Sequence, residues 1–287
     1  MNCRSLVWTA LLACALLATG CATREPNARA KADSAARELR QQLMPTPLLL
    51  VGEQHDAAEH QAVQAALVRQ LSAERALAAL VIEMAEAGDS TVGLPPNADE
   101  ATVQRALRWD ANRQVWPWMA YGPAIMAAVG AGVPVLGGNL PAADMRAAMR
   151  DAALDGALSP VALREQQAQI REGHCGLLPD SQIAPMTRIQ IARDQSLART
   201  AVSVLQPGKT VLLLAGNQHV RRDLGVPLHL GSQVKARVVV MQSGDNSVTA
   251  GAHTDTSADR PATDRVWQTA PVPVQDHCAE FKARMDR

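Results

Sequence analysis

Polar residues of a catalytic or ligating kind stand where apolar runs stop. Leu48-Leu49-Leu50-Val51 gives way to Gly52-Glu53-Gln54-His55, with Asp56 and His60 just beyond. Ala79 to Ile82 runs into Glu83, Val133 to Leu136 into Gly138-Asn139, and Thr210 to Leu214 into Gly216-Asn217-Gln218-His219. A short apolar run stopped by glycine reads as a buried strand. In open α/β sheets, ligands gather at the carboxyl ends of the strands. Glu53, His55, Glu83, Asn139, Asn217 and His219 are therefore expected to share one rim, with His60 close by. Carboxylates and imidazoles suit a divalent metal such as zinc, whose catalytic sites keep an open position. They suit metal-free acid–base chemistry equally.

Several chemistries are excluded. Glu53-x-His55 does not place two histidines four apart on one helical face, as the helical zinc motif requires. No Gly-rich phosphate loop follows the first run, and no Gly-x-Ser-x-Gly elbow follows any strand. Taken singly, His60 also reads as a helix-cap or surface histidine, and both asparagines as turn residues with left-handed backbone. Glu83 is harder to dismiss, because a charge beside a buried strand needs a partner. The residues define a site without fixing a reaction.

The elements that must position this rim follow from periodicity. Strands are expected at 48–51, 79–82, 133–136, 210–214, 237–241 and, as a short edge, 266–268. Helical spacing covers 30–43, 59–76, 101–107, 122–131, 142–153, 161–171 and 184–205. Strands alternating with helices imply βαβ units, so the expected fold is α/β, a mainly parallel sheet with helices on both faces. Residues 243–265 lack apolar periodicity and read as a flexible surface excursion. At 47% hydrophobic residues the chain can bury one large core, and at 2% aromatic that core must be aliphatic. Trp109, Trp116, Trp118, Tyr121, Trp267 and Phe281 stand out against it. Equal numbers of basic and acidic residues, 28 each, argue against a nucleic-acid-binding face.

The N-terminus carries its own message. Arg4 precedes an uncharged apolar run, Leu6 to Leu17, and then Leu17-Ala18-Thr19-Gly20-Cys21. This is a secretory signal, too short for a spanning helix. It resembles a bacterial lipoprotein signal, although Ala18 stands where leucine is usual. The resemblance implies cleavage after residue 20 and lipidation of Cys21. Ala22, rather than Asp, implies sorting to the periplasmic side of the outer membrane. The expected organisation is signal 1–20, lipidated Cys21 with spacer and lead-in helix to 46, an α/β domain over 47–280, and a tail over 281–287. Cys3 and Cys14 leave with the signal, so Cys175 and Cys278 are expected to pair in that oxidising compartment. The alternatives are free thiols, or a thiolate ligand at Cys175 beside His174.

An ordered series of segments resembles the ChaN-like haem-binding uptake lipoproteins of the Tiki/TraB-like superfamily. It comprises Val51 to Asp56 with His60, Ile82-Glu83-Met84, Trp116 to Pro123, Val135 to Pro141, His174 to Pro179, Arg193-Asp194-Gln195, Ala215 to Arg221, and Gly225-Val226-Pro227. The resemblance implies a haem-binding lipoprotein in iron acquisition, with haem as a stacked pair at a homodimer interface and tyrosine ligation. Tyr121, the single tyrosine, is then the expected iron ligand, a role phenolates fill in catalase. His55, His60 and His219 are rival ligands, and Asn139 and Asn217 further contacts. Trp116 and Trp118, close by in sequence, are candidates to pack on a porphyrin face, and Arg188 and Arg221, on charge alone, to pair with propionates. An outer-membrane haem or iron receptor is the implied partner, and nucleic acid is not. Superfamily members that resemble metal-dependent peptidases or esterases supply the alternative. In it a divalent metal and Glu53, His55, Glu83 and His219 form a hydrolytic centre.

Overall fold

The computed structural model describes residues 24–112, 116–244, 262–273 and 276–285. The signal, Cys21 and the middle of the expected 243–265 excursion lie outside them. Six strands form one parallel sheet in the order β3-β2-β4-β1-β5-β6. They are β1 Leu48–Glu53, β2 Leu77–Glu86, β3 Val135–Asn139, β4 Thr210–Gly216, β5 Ala236–Ser243 and β6 Arg265–Thr269. Every strand pairing is parallel, as continuous Leu/Val/Ile runs buried on both faces require.

Alternation along the strands divides the core in two. Leu49 and Val51 of β1, Leu80 and Ile82 of β2, and Leu212 and Leu214 of β4 face α1 (Arg24–Leu43), α2 (Ala58–Ala73) and α5 (Trp118–Gly130). Short helices α3 (Glu100–Ala106) and α4 (Trp109–Asn112) close that layer. Leu48, Leu50, Val81, Leu213 and Ala215 face Leu197, Ala198 and Ala201 of helix α8 (Asp180–Ser203). A smaller cluster joins Ile189, Ile191 and Ala192 of α8 to Leu154 and to Ala148 of α6 (Met145–Arg150). Helix α7 (Pro160–Gly173) begins at Ser159, whose hydroxyl accepts from Ala162 N–H. The C-terminal helix α10 spans His277–Met285. Among the described residues no helix is long and apolar enough to cross a membrane.

Three expectations are refined. The lead-in helix is longer than 30–43, running Arg24–Leu43, and Ala32, Ala36 and Leu39 are buried in the core. The helix expected at 142–153 is broken, because Asp151 leaves helical backbone and its carboxylate caps a new 3₁₀ turn, accepting from Ala153 N–H at 3.0 Å. Helices α5 and α8 start earlier than the expected 122 and 184, at Trp118 and Asp180, which places Pro123 and Pro185 well inside them. Each proline forgoes one backbone bond, and buried faces such as Tyr121, Ile125 and Ala128 carry the helix through. The ends of the 243–265 stretch are pinned: Ser243 is buried, and Asp264 is paired with Arg222 and Arg237.

One topological feature creates the site. After β1 the chain crosses to the α2 face, whereas after the neighbouring β4 it turns into α9 (Asn217–Val220), whose Val220 sits in the opposite core. Chains leaving adjacent strands on opposite faces open a crevice at their carboxyl ends. Glu53 and Gly216, in register on β1 and β4, stand at its floor.

Candidate functional site

The crevice continues into a cleft of about 820 Å³, walled on one side by Gln166, Gln169, Ile170 and His174 and on the other by His55, Val240 and Val266. That volume falls within the range of about 300–1,000 Å³ typical of small-molecule sites. Two charged clusters meet at its floor.

The first is built on β1. Glu53, buried at the strand end, accepts from the Tyr121 hydroxyl at 2.7 Å and from His55 Nδ1–H at 2.7 Å through Oε1, and from Gln61 through Oε2 at 3.1 Å. With Nδ1–H fixed by the carboxylate, His55 presents Nε2 as a lone-pair donor. Among the described residues nothing hydrogen-bonds to that nitrogen. The imidazole side chain is 41% exposed and meets Trp116 edge-on, centroids 4.7 Å apart. Gly216 leaves it room, since a Cβ there would meet His55 Nε2 at 3.0 Å. Burial works against a charge on His55, but the bond to Glu53 and the charge of Glu83 outweigh it and raise its pKa.

The second joins β2, α8 and α9. His219 lies between two buried carboxylates, with Nδ1 2.5 Å from Asp194 and Nε2 3.3 Å from Glu83. Both ring nitrogens thus face carboxylates, and the Gln190 amide nitrogen lies 3.2 Å from Nδ1 and 3.1 Å from Nε2. Burial opposes a charge on the ring, yet Glu83 and Asp194 together push the His219 pKa up to about 10. Glu83 is held far below the ordinary carboxylate range: burial works against its charge, but His219, His55 and the Gly216 N–H outweigh it. Asp194 is raised to about 6, by burial first, with the Glu83 charge adding to it against the pull of His219. Near neutral pH the cluster holds two anions and one cation.

The remaining predicted residues have other tasks. His60 is fully buried; its Nδ1 accepts from Gln54 N–H at 3.0 Å, and its Nε2 reaches Thr269 Oγ1 at 2.9 Å. It joins α2 to β6 and is withdrawn from the rim. Asn139 accepts from Leu140 N–H, and neither asparagine has positive φ. Asn217 donates to Met241 O at 2.8 Å and lies against Gly52, where a Cβ would meet its Oδ1 at 2.5 Å. Asn217 thus seats α9 on β1 and β5. Trp118 donates to Glu100 and packs on Trp109 and Gly122, away from the cleft. Arg188 forks onto Asp155 at 2.7 and 2.9 Å, outside the cleft lining, and is unsuited to a propionate. Arg221 does line the cleft but is forked to Asp223. Cys175 and Cys278 form a disulfide, which removes the thiolate alternative.

Tyr121 reaches the rim, but not as an open ligand. It is 3% exposed, and its proton is held by Glu53. Burial and the Glu53 charge drive its pKa well above the ordinary phenol value. A phenolate there would face a carboxylate with no proton between them.

A family profile described as "Haem-binding uptake, Tiki superfamily, ChaN" matches residues 39–230. The chain belongs to this ChaN family. Among solved structures it is similar to ChaN of Campylobacter jejuni, described as binding haem cofacially, with 23% identity over 74% of this chain and 86% of that one, at a TM-score of 0.59. Weaker likenesses are to a mutant erythromycin esterase EreC in its open conformation, with 14% identity, 72% of each chain and a TM-score of 0.41. A Bacillus cereus protein gives 12% identity over 74% of this chain and 75% of that one, with a TM-score of 0.38. No curated protein matches.

In this ChaN-family chain, Gln61, Asp194 and Gln190 are site residues that strand-end reasoning did not single out. Their signal is faint: a polar residue on the inward side of a helix looks like any other until the helix is docked. Among the described residues no group of three or more His, Cys, Asp or Glu side chains is placed to hold a metal ion. The turn carrying His219 tolerates no Cβ at Gly225, where one would lie 2.1 Å from His219 O and 2.7 Å from Gln218 O. Gly225→Ala is expected to cost about 1–3 kcal/mol of unfolding free energy in urea titration, as overpacking against rigid atoms does.

Proposed function

We propose that this protein binds haem in the strand-end cleft, with His55 Nε2 as the iron ligand, and serves haem or iron acquisition as a lipoprotein anchored through Cys21 on the periplasmic side of the outer membrane. The observation that carries the reading is the His55 imidazole: its Nδ1–H is fixed by a buried carboxylate, its Nε2 meets no partner among the described residues, and the residue lines a cleft of about 820 Å³. A carboxylate behind a ligating histidine orients the ring and strengthens its basicity. Histidine is a standard axial ligand of haem iron, and the group supplies iron-centred redox and ligand-exchange chemistry when bound. Ile170, Val240 and Val266 offer apolar contact, and Trp116 braces the His55 ring. The family membership supports haem over the hydrolytic alternative. The cofacial haem described for the Campylobacter jejuni relative supports a homodimer that faces two haems across its interface. An outer-membrane haem or iron receptor is the partner such a carrier requires.

The test is a visible absorption titration of the full chain with ferric haem, run beside Tyr121→Phe. Saturable binding is expected in both, because Tyr121 supports Glu53 rather than the iron. Loss of the complex in Tyr121→Phe would return ligation to the phenol, and absence of saturable binding in the wild type would end the haem reading. Ligation requires neutral imidazole, and the His55 pKa is raised above its ordinary 6.5. Affinity is therefore expected to weaken as pH falls through a midpoint above 6.5, and to hold on the alkaline side.

A further inference from the structure

Two adjacent residues in the first turn of α10 attach it to two segments that border the cleft. Cys278 is bonded to Cys175, the residue after His174 in the cleft wall. His277 lies 3.6 Å from Asp56, the residue after His55 on the opposite wall. Cys175 and Cys278 have their α-carbons 5.5 Å apart but stand 103 positions apart in the chain. A single helical turn thus links the α7–α8 turn to the β1–α2 turn. Of the two attachments, the ion pair is weak, because His277 is 62% exposed. The covalent one carries the link. Cys278 is exposed, so a dithiol can reach it.

We propose that α10 is a redox-releasable strap across the cleft, which slows ligand exchange while Cys175–Cys278 is intact and frees the mouth when that bond is reduced. The inference rests on the haem reading for the identity of the ligand, though not for the mechanics of the strap. The step is a thiol–disulfide exchange with a dithiol reductant. The Cys175–Cys278 bond breaks, two thiols form with two electrons and two protons, and the dithiol closes to its own disulfide. The covalent tether is then gone, and only the exposed His277–Asp56 contact holds the turn in place. Lid opening of this kind commonly governs release rates.

The experiment follows haem loss from the loaded full chain to an excess of a haem-scavenging apoglobin. It compares the oxidised protein, the protein reduced with dithiothreitol, Cys278→Ser, and His277→Ala with the disulfide intact. Reduction and Cys278→Ser are expected to speed haem loss by about tenfold or more, as release of a gating element does, and His277→Ala by less. Equal rates in all four, with haem bound saturably, would overturn the strap. Should the chain bind no haem, hydrogen exchange of the haem-free protein decides the strap separately. Faster exchange at residues 54–57 and 172–175 on reduction supports it, and unchanged exchange overturns it. His277→Ala keeps the cross-link, so its result does not depend on the stability of the reduced chain.

Discussion

His55→Ala is expected to lose the ligated haem spectrum and to weaken haem binding by about a hundredfold or more, the scale on which loss of a well-held polar anchor acts (about 1.4 kcal/mol per factor of ten). The size follows from the geometry. Glu53 fixes the imidazole at 2.7 Å, Trp116 flanks it, and Gly216 clears the space beside Nε2. The ring therefore enters the complex with little freedom left to lose. Glu53→Gln should fall between His55→Ala and wild type, at about 10–100-fold, because a supporting carboxylate orients the ligand without touching iron. Tyr121→Phe should lie closer to wild type. The ordering of the three variants by haem titration is the discriminating result: a Tyr121→Phe effect larger than that of His55→Ala would assign the iron to the phenol.

This ordering departs from what the family resemblance implies, and the reason is burial. The resemblance makes the single tyrosine, near two tryptophans, the expected haem ligand. In the folded chain α5 turns that tyrosine inward, where its hydroxyl proton belongs to Glu53. Glu53, His55, Glu83 and His219 were legible because each follows an apolar run that is unmistakably a strand, and a parallel sheet delivers strand ends to one edge. His60 was misplaced because helix α2 presents it to β6, whose position at the far edge no local pattern encodes. Asp194 stood in a segment of the family resemblance, but its role was hidden for the same reason. Along α8 it is one of many polar residues, and only docking of that helix on β2, β3 and β4 makes it a buried partner of His219. All six strands could be read from sequence, but not the insertion of β4 between β1 and β2. That insertion is what opens the crevice.

Breaking the second cluster should have the largest effect on stability. Glu83→Gln leaves His219 with one carboxylate and turns the acceptor facing Gly216 N–H into a neutral amide. A buried ion pair deprived of one partner typically loses about 3–5 kcal/mol, and Glu83 and His219 side chains are only 6% and 7% exposed. The loss should appear as a lower urea midpoint with unchanged slope. Its pH signature follows from linkage. His219 is raised to about 10, so its contribution is complete below its ordinary 6.5 and is lost as pH rises towards 10. Asp194 is raised to about 6, so its term likewise favours the protonated side and fades between its ordinary 3.8 and about 6. Glu83 is depressed, so its contribution is present above its ordinary 4.5 and is lost as pH falls through its lowered value. Wild-type stability should therefore decline between about pH 6.5 and 10, and His219→Gln should remove that alkaline decline while lowering stability at neutral pH. A wild-type stability curve flat over that interval would mean that His219 is not the buried cation of the cluster. The two carboxylates flanking it would then have to be held by something other than its charge.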